Sequence, residues 1–371
     1  MARDPVQVLI LSNGLDIGGA QRFASHLLKG FDRSRVRPRL VLLRPGIGYP
    51  LPKDVPVHVL DYGGIGDLVQ TVWRLRRLIT RTRPRVVLSV DTAVNVVAGL
   101  TCLMLKQRPA WIACVDTNPD RRELRFRAML MRWLFPLADA LVACSSGVEA
   151  ALKVQYPRET NKIQSIFYPV DFEALDRSAA QTTDWVKPEG TLFLATVGHA
   201  HQVKRWDLML NAFSRAAESR QVELICCGTG PLLESLKAQA RSLKIRNRVH
   251  FPGHCTNPFS ILGQADIFLL SSDAEGLPHA LIEAQGLGVC AVTTRCAFGP
   301  EEIVTHGETG LLVDVGNAEQ MARAMQTLLE NPSLRRRMGA NARKQARERF
   351  DFRNRCREWE QLVLDCADST A

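Results

Sequence analysis

The chain has no uninterrupted apolar stretch of membrane-spanning length, although 46% of its 371 residues are hydrophobic. Its opening run, Met-Ala-Arg-Asp-Pro-Val, enters a strand-like segment at once and lacks the apolar h-region of a secretory signal. The ten cysteines are scattered and include no Cys-x-x-Cys pair. Several, such as Cys114, Cys144, Cys226 and Cys227, fall inside apolar runs. They read as small core residues of a protein in a reducing cytosol, not as disulfide partners or zinc ligands. No Gly-x-Gly-x-x-Gly run is present, which argues against a dinucleotide oxidoreductase. No short-period repeat and no low-complexity segment occur. Aromatics beside basic residues are few: only Trp73, Phe126 and Trp133 qualify. That disfavours nucleic acid as the partner of a chain with net charge +10. The remaining acidic partners are anionic lipid or a phosphorylated substrate.

The length favours two domains with ample core. Short β-branched runs alternate with helix-length amphipathic segments. Strands are expected at 6–11, 39–43, 57–60, 86–90, 110–115, 140–144 and 163–168, then at 192–197, 222–227, 249–252, 267–270, 289–293 and 310–313. This alternation implies βαβ units and parallel sheets, an α/β fold. The stretch 176–190 is polar and patternless and separates the two blocks. The expected organisation is therefore residues 1–180, 181–352 and a closing helical segment 353–371, with Trp359, Leu362 and Val363 on one face.

The most informative run is Asp273-Ala-Glu275-Gly276-Leu277-Pro278-His279-Ala280-Leu281-Ile282-Glu283-Ala284. It follows the apolar run 267–270, which reads as a buried strand. Pro278 suits the first turn of a helix, where its missing N–H costs nothing. Glu275 then falls in the loop after the strand, and Glu283 about a turn and a half into the helix. The amides of Leu277, His279 and Ala280 would face outward at the positive end of the helix dipole and offer an anion site. Carboxylates on either side of such a site suit a ligand with a central diphosphate and hydroxyls at both ends, as in a nucleotide-sugar. A solvated helix start would show similar acids, but not the Gly-x-Pro between them.

This spacing resembles the Glu-x7-Glu signature of the retaining glycosyltransferases of family 4, whose fold is GT-B: two Rossmann-like domains facing across a cleft. The resemblance covers nearly the whole chain. It implies that Glu275 contacts the donor sugar's hydroxyls and Glu283 the ribose, with Gly276, Leu277, Pro278, His279 and Ala280 around the diphosphate. It also implies an N-terminal acceptor domain, a C-terminal nucleotide-sugar domain and a last helix that returns to the first.

Further motifs fit the same family. Asn13-Gly14-Leu15-Asp16-Ile17-Gly18-Gly19-Ala20-Gln21-Arg22 resembles its Gly-Gly-Ala-Glu-Arg run, with Gln21 replacing Glu. Gly18 and Gly19 would border the donor diphosphate and the acceptor; a tight turn would need such glycines for geometry alone. In Gly198-His199-Ala200-His201-Gln202-Val203-Lys204-Arg205, Lys204 matches the family's diphosphate-binding Lys. His199 stands where an Arg is usual, and Arg205 is a candidate to compensate. Read without the family, Lys204 is a solvated loop cation and His199 a polar strand end. Cys227-Gly228-Thr229-Gly230-Pro231, Phe251-Pro252-Gly253 and 298–313 resemble further family segments in the right order.

The N-terminal half departs from the pattern. Where many members carry a His, this chain reads Cys114-Val115-Asp116-Thr117-Asn118. Asp116 could accept a proton from an acceptor hydroxyl or cap its loop. Asp91 reads as a cap and Asn95 as a residue facing donor or acceptor. Two arginine-rich stretches, 73–85 and 121–135, fit amphipathic helices that could lie on anionic lipid or simply turn their arginines to water.

The resemblance thus implies a cytoplasmic hexosyltransferase, peripheral on the inner face of the membrane, that needs neither cofactor nor metal. Its donor would be a nucleotide-sugar. Its acceptor would be an oligosaccharide or lipid-linked glycan of the bacterial surface, such as lipopolysaccharide, O-antigen or capsule. Lys204, Glu275 and Asp116 would be its catalytic residues. With His and Arg replaced, a nucleotide-sugar-binding protein that has lost catalysis is the alternative.

Overall fold

The computed structural model describes residues 4–15, 18–116, 125–182, 185, 187, 189–218 and 221–369, with backbone alone at 65 and 125–128. They form two compact units, 1–170 with 352–371, and 171–351.

The first unit holds β1 (Val6–Ser12), β2 (Val36–Leu42), β3 (Val57–Val59), β4 (Val86–Val90), β5 (Ala110–Val115), β6 (Ala140–Ala143) and β7 (Ile163–Ser165). They make one sheet in the order β3-β2-β1-β4-β5-β6-β7, with every pairing parallel. The connecting helices are α1 (Gly19–Gly30), α2 (Leu68–Thr82), α3 (Thr92–Leu103), α4 (Arg125–Leu134) and α5 (Ser146–Gln155). Every residue of β4 and β5 is buried, as a parallel sheet covered on both faces requires. That is why these strands read as unbroken apolar runs rather than alternating ones.

The second unit holds α6 (Phe172–Ala179), β8 (Leu192–Val197), α7 (Trp206–Ala216), β9 (Val222–Cys227), α8 (Leu233–Ser242), β10 (Val249–Gly253), α9 (Pro258–Leu262) and β11 (Ile267–Leu270). It continues with α10 (His279–Gly286), β12 (Cys290–Thr294), α11 (Pro300–Ile303), β13 (Gly310–Val313), α12 (Ala318–Glu330) and α13 (Pro332–Arg349). Its sheet is also parallel throughout, ordered β10-β9-β8-β11-β12-β13.

All thirteen expected strands form. β2 begins three residues earlier than expected because Val36 is buried and pairs with Val6. β7 stops at Ser165 because its partner among the described residues, β6, ends at Ala143 opposite it. The units meet at Val170 and Asp171, ten residues before the expected boundary, because α6 packs on α9 and α10. Arg343 and Arg347 of α13 both bind Asp176 of α6, at 3.0 and 2.5 Å.

The last helix, α14 (Phe352–Ser369), follows the second unit in sequence but packs on α1 in the first. Trp359 is fully buried there. Its ring lies 4.8 Å from Phe23, and its Nε1 donates to the Phe167 carbonyl at 3.2 Å. Glu360, also buried, accepts from Arg35 at 2.7 Å and from the Asp32 amide at 2.8 Å. Aromatic burial and a desolvated, satisfied carboxylate together hold the helix in place.

Nine of the cysteines are buried and Cys255 is half-buried; all ten are free. Among the described residues no helix is long and apolar enough to cross a membrane.

Candidate functional site

In each sheet the strand order reverses once, between β1 and β4 and between β8 and β11. Crevices beyond the carboxyl ends of strands at such a reversal are the usual ligand sites of open parallel sheets. The sequence-predicted residues of the second unit gather there.

The loop after β8 is fastened to the loop after β11. The Asp273 amide donates to the Val203 carbonyl at 2.8 Å, and Ser271 Oγ donates to the Lys204 carbonyl at 2.7 Å. These bonds bring together two side chains 71 positions apart. Lys204 Nζ donates to Glu275 Oε1 at 2.7 Å. The same oxygen accepts a short hydrogen bond from Ser272 Oγ. Thr294 Oγ1 in turn donates to the Ser272 carbonyl at 2.6 Å, so β12 braces the group. Cys296 lies beside it, its thiol pushed up to about 12 by burial and then by the Glu275 charge, so it stays protonated.

Sequence reading missed Ser272. Its signal was the spacing in Ser272-Asp273-Ala274-Glu275, three positions that a turn of the loop closes into a hydroxyl–carboxylate hydrogen bond.

Glu275 sits in the loop, and α10 begins at His279. Pro278 is therefore the N-cap residue, one position before the expected first helical turn; its φ of −73° and ψ of 98° are extended. Glu283 falls on α10 and is 4% exposed. Gly276 and Leu277 are buried under Gly299. The Leu281 and Ile282 amides of the first turn of α10 donate to the Pro278 carbonyl at 3.1 and 3.3 Å, and this end of the helix favours an anion.

His199 is exposed on the β8 loop, with its ring stacked 6.4 Å from His201, a second imidazole not singled out from sequence. Arg205 does not stand as a loose cation. It adopts φ 48°, and its guanidinium binds Asp207 at 3.1 Å and Asp273 at 3.2 Å, which raises its pKa, Asp207 contributing most. It ties the two loops together where a compensating diphosphate contact was expected. Gly228 permits the third side of the site. A Cβ there would meet the Gly198 carbonyl oxygen at 1.7 Å, and its φ is 144°. Only glycine lets the end of β9 approach the β8 loop this closely.

In the first unit, Gly18 is the N-cap residue of α1 and Gly19 its first residue. The Gly18 amide donates to the Tyr49 hydroxyl at 3.3 Å, and the Leu15 amide to the Gly46 carbonyl at 2.9 Å. Asp16 and Ile17 lie outside the described residues. Asp91 caps α3, accepting from the amides of Ala93 at 2.9 Å and Val94 at 3.1 Å, as expected. Asn95 does not face a ligand. It is buried, accepts from Ser89 at 2.6 Å and donates to the Cys114 carbonyl at 2.8 Å. It joins β4 to β5 instead.

Asp116 directly follows β5. Its Oδ1 is buried with no hydrogen-bond partner among the described residues. Burial pushes its pKa up to about 6, against a smaller opposing effect of its own amide. A carboxylate so placed titrates near neutrality, which suits proton transfer. Thr117 and Asn118 lie outside the described residues.

Comparison with known proteins bears on the whole chain. The model of "Glycosyl transferases group 1" matches residues 179–345, and that of "Glycosyltransferase Family 4" matches residues 17–174. The lipopolysaccharide core biosynthesis glycosyltransferase LpsD of Rhizobium meliloti (strain 1021) is 35% identical over 339 residues, 90% of this chain and 91% of its own length. The N-acetyl-alpha-D-glucosaminyl L-malate synthase of Bacillus anthracis is 30% identical over 177 residues, 48% of this chain and only 46% of its own length. Among solved structures, Anabaena HepE in complex with UDP and glucose superposes with a TM-score of 0.80 at 18% identity, covering 97% of this chain and 100% of its own. That likeness concerns the fold: two parallel-sheet α/β domains of the GT-B type.

Proposed function

The chain belongs to the glycosyltransferases of family 4, and on that premise we propose that it transfers a hexose with retention of configuration. The donor is a UDP- or GDP-linked sugar. The acceptor is a growing surface glycan of the lipopolysaccharide, O-antigen or capsule type on a lipid carrier, reached from the cytoplasmic side. LpsD, a lipopolysaccharide core enzyme by name, supports the acceptor class. The D-rhamnosyltransferase WbpZ of Pseudomonas aeruginosa, 28% identical over 232 residues, belongs to the same circle of relatives.

The observation that carries this reading is the Lys204–Glu275 pair at the β8–β11 reversal, with Glu283 eight positions on along the next helix. The α10 amides and Lys204 surround the place of a diphosphate. Glu275 Oε1 is occupied by Lys204 and Ser272, which leaves Oε2 for a sugar hydroxyl. Glu283 takes the ribose.

Transfer proceeds on one face of the sugar. The bond from the anomeric carbon to the diphosphate oxygen breaks as the acceptor oxygen bonds to that carbon, and the acceptor proton passes to the departing phosphate oxygen. Lys204 and the helix amides stabilise the charge that grows on the diphosphate. No residue need remove the proton, so the family's missing His is tolerable; Asp116 orients the acceptor hydroxyl.

Saturation-transfer NMR with a panel of nucleotide-sugars identifies the donor, and the bound donor is then tested for turnover with lipid-linked acceptors. Tight binding of one donor with no transfer to any acceptor, and no hydrolysis, would instead mean a binding protein that has lost catalysis.

A further inference from the structure

Cys227 closes β9, and the parallel register sets it beside Gly253, the last residue of β10. Cys255 follows two positions later in the chain. Alternation along β9 sends Cys226 and Cys227 to opposite faces of the second sheet. Cys226 joins the large core with Leu194, Phe213 and Leu269. Cys227 joins a small cluster with Phe193, Ile225 and Ile261, against which Cys255 and Trp185 pack. Two thiols distant in sequence thereby become neighbours.

The two differ in surroundings. Cys227 is buried, and Cys255 is the one cysteine of the ten that is not. The Cys227 thiol donates to Cys255 Sγ, and the Cys255 thiol donates to the Gly253 carbonyl at 3.7 Å. Giving that bond, and then burial, raises the Cys227 pKa. Receiving it lowers the Cys255 pKa, against a smaller effect of burial. Cys102, Cys290 and Cys296, by contrast, are buried thiols pushed up to about 12, chiefly by desolvation. Cys255 is thus reachable and the more easily ionised, with a second, protonated thiol in contact. That is the arrangement of an attacking thiol and a resolving one.

The same segments hold the loop after β8. The Gly198 amide donates to the Cys227 carbonyl at 3.0 Å, the Gly228 amide to the Gly253 carbonyl at 2.8 Å, and the Ala200 amide to the Thr229 carbonyl at 2.8 Å. Gly228 already lies too close to the Gly198 carbonyl for any Cβ to fit. A disulfide needs its sulfurs about 2.05 Å apart, well inside the contact distance of two thiols. Closing it draws the ends of β9 and β10 together, and the tight contact at Gly228 passes the shift to the loop that carries Lys204. We propose that Cys227 and Cys255 are a peroxide-sensitive thiol pair whose disulfide displaces the loop after β8 and weakens nucleotide binding. The Cys255 thiolate attacks one oxygen of hydrogen peroxide and the O–O bond breaks. A sulfenic acid forms on Cys255, and the departing hydroxide takes up the proton that the thiol released. Cys227 sulfur then bonds to Cys255 sulfur, and its proton leaves with the sulfenic hydroxyl as water. Both thiols are oxidised to one disulfide, and the peroxide is reduced to two waters. Only the last consequence, weaker nucleotide binding, rests on the proposed function.

The test treats the fully reduced full chain with hydrogen peroxide and compares it with an untreated sample. Peptide mass mapping should find Cys227 and Cys255 in one cross-linked pair, lighter by two hydrogens, and dithiothreitol should restore both thiols. Cys255→Ser should form no such cross-link. Cys227→Ser should instead leave Cys255 as a sulfenic acid that dimedone labels. Thermal unfolding checks each variant, and Cys227→Ala serves if the buried hydroxyl prevents folding. Hydrogen exchange at 198–205 should be faster in the oxidised chain. Uridine or guanosine diphosphate should bind the oxidised chain about fivefold or more weakly than the reduced one. Dithiothreitol should reverse both effects, and Cys255→Ser should show neither. Thiols that stay free under peroxide, exchange at 198–205 that ignores the cross-link, or equal nucleotide affinity measured in both forms would overturn the proposal. A reduced chain that binds neither diphosphate would count against the donor reading alone, with the cross-link and the exchange deciding the thiol pair.

Discussion

Lys204 Nζ stands 2.7 Å from Glu275 Oε1, and the side chains are 25% and 9% exposed. The cation is held by the carboxylate and the carboxylate by Ser272. On the proposed function a donor diphosphate would compete with Glu275 for an ammonium that is already ordered, which lowers the cost of binding.

Lys204→Ala should cut turnover on the order of 10²–10³ fold, because the ammonium acts on charge that develops as the nucleotide leaves. Stability should fall by only about 1 kcal/mol, since Ser272 still satisfies the carboxylate and solvent reaches the site. Steady-state kinetics and denaturant unfolding on the same preparation separate the two effects. Near-parental turnover would reduce Lys204 to a surface cation.

Glu283→Ala should weaken bare nucleoside diphosphate by about 1.5–3 kcal/mol, because a ribose hydroxyl loses a charge-assisted acceptor. Glu275→Ala should leave that affinity nearly intact and impair transfer. Isothermal calorimetry with the diphosphate alone checks both; equal affinity in parent and Glu283→Ala would remove the ribose assignment.

Asp116 gives a pH dependence with a definite sign. Its folded pKa is about 6, above the ordinary carboxyl value of 3.8, so between those values the folded state binds more protons than the unfolded. Its contribution to stability is then fully present below about pH 4 and is lost as pH rises through about 6. Asp116→Asn should be more stable than the parent at pH 7.5, by about 1–2 kcal/mol. It should show no such advantage at pH 4. Urea unfolding across this range tests it; parallel curves for the two proteins at all pH values would mean that burial does not shift this carboxyl.

Gly299→Ala should damage the site through the backbone. Its φ is 86°, and a Cβ would meet the Pro278 Cδ at 2.6 Å and the Gly276 carbonyl oxygen at 2.7 Å. Relief requires movement of the segment that leads from Glu275 into α10. Donor affinity should fall roughly tenfold or more, with a stability loss of about 1–3 kcal/mol. Titration of donor by intrinsic fluorescence, beside thermal melting, reads both.

Trp359→Ala should destabilise the first unit by about 3–5 kcal/mol, through lost burial and a cavity against Phe23. Nucleotide diphosphate affinity should survive wherever the second unit remains folded. Loss of nucleotide binding in step with the first unit's unfolding would contradict that separation.

The sequence by itself determined the strands and their parallel pairing. The central strands, such as β5, β6 and β11, are apolar runs buried on both faces, and their chemistry is visible without knowing their neighbours. It also placed Glu275 in the loop and Glu283 on the helix that follows β11, because strand end, Gly-x-Pro and helix start lie in one stretch and their spacing is local. Asp91 was legible as a cap for the same reason. What lay beyond reach was whatever depends on residues distant in sequence. Arg205 read as a candidate diphosphate contact because Asp273, its partner 68 positions away, arrives only when β8 and β11 become neighbours. Asn95 read as a rim residue because its satisfaction by Ser89 and Cys114 needs β4 beside β5. The domain boundary read too late because α6 is polar in sequence and declares its side only by packing on α9 and α10. Local propensity and periodicity fix elements; pairing between elements fixes which polar groups are satisfied and which remain for a ligand, and that is decided by the three-dimensional neighbours alone.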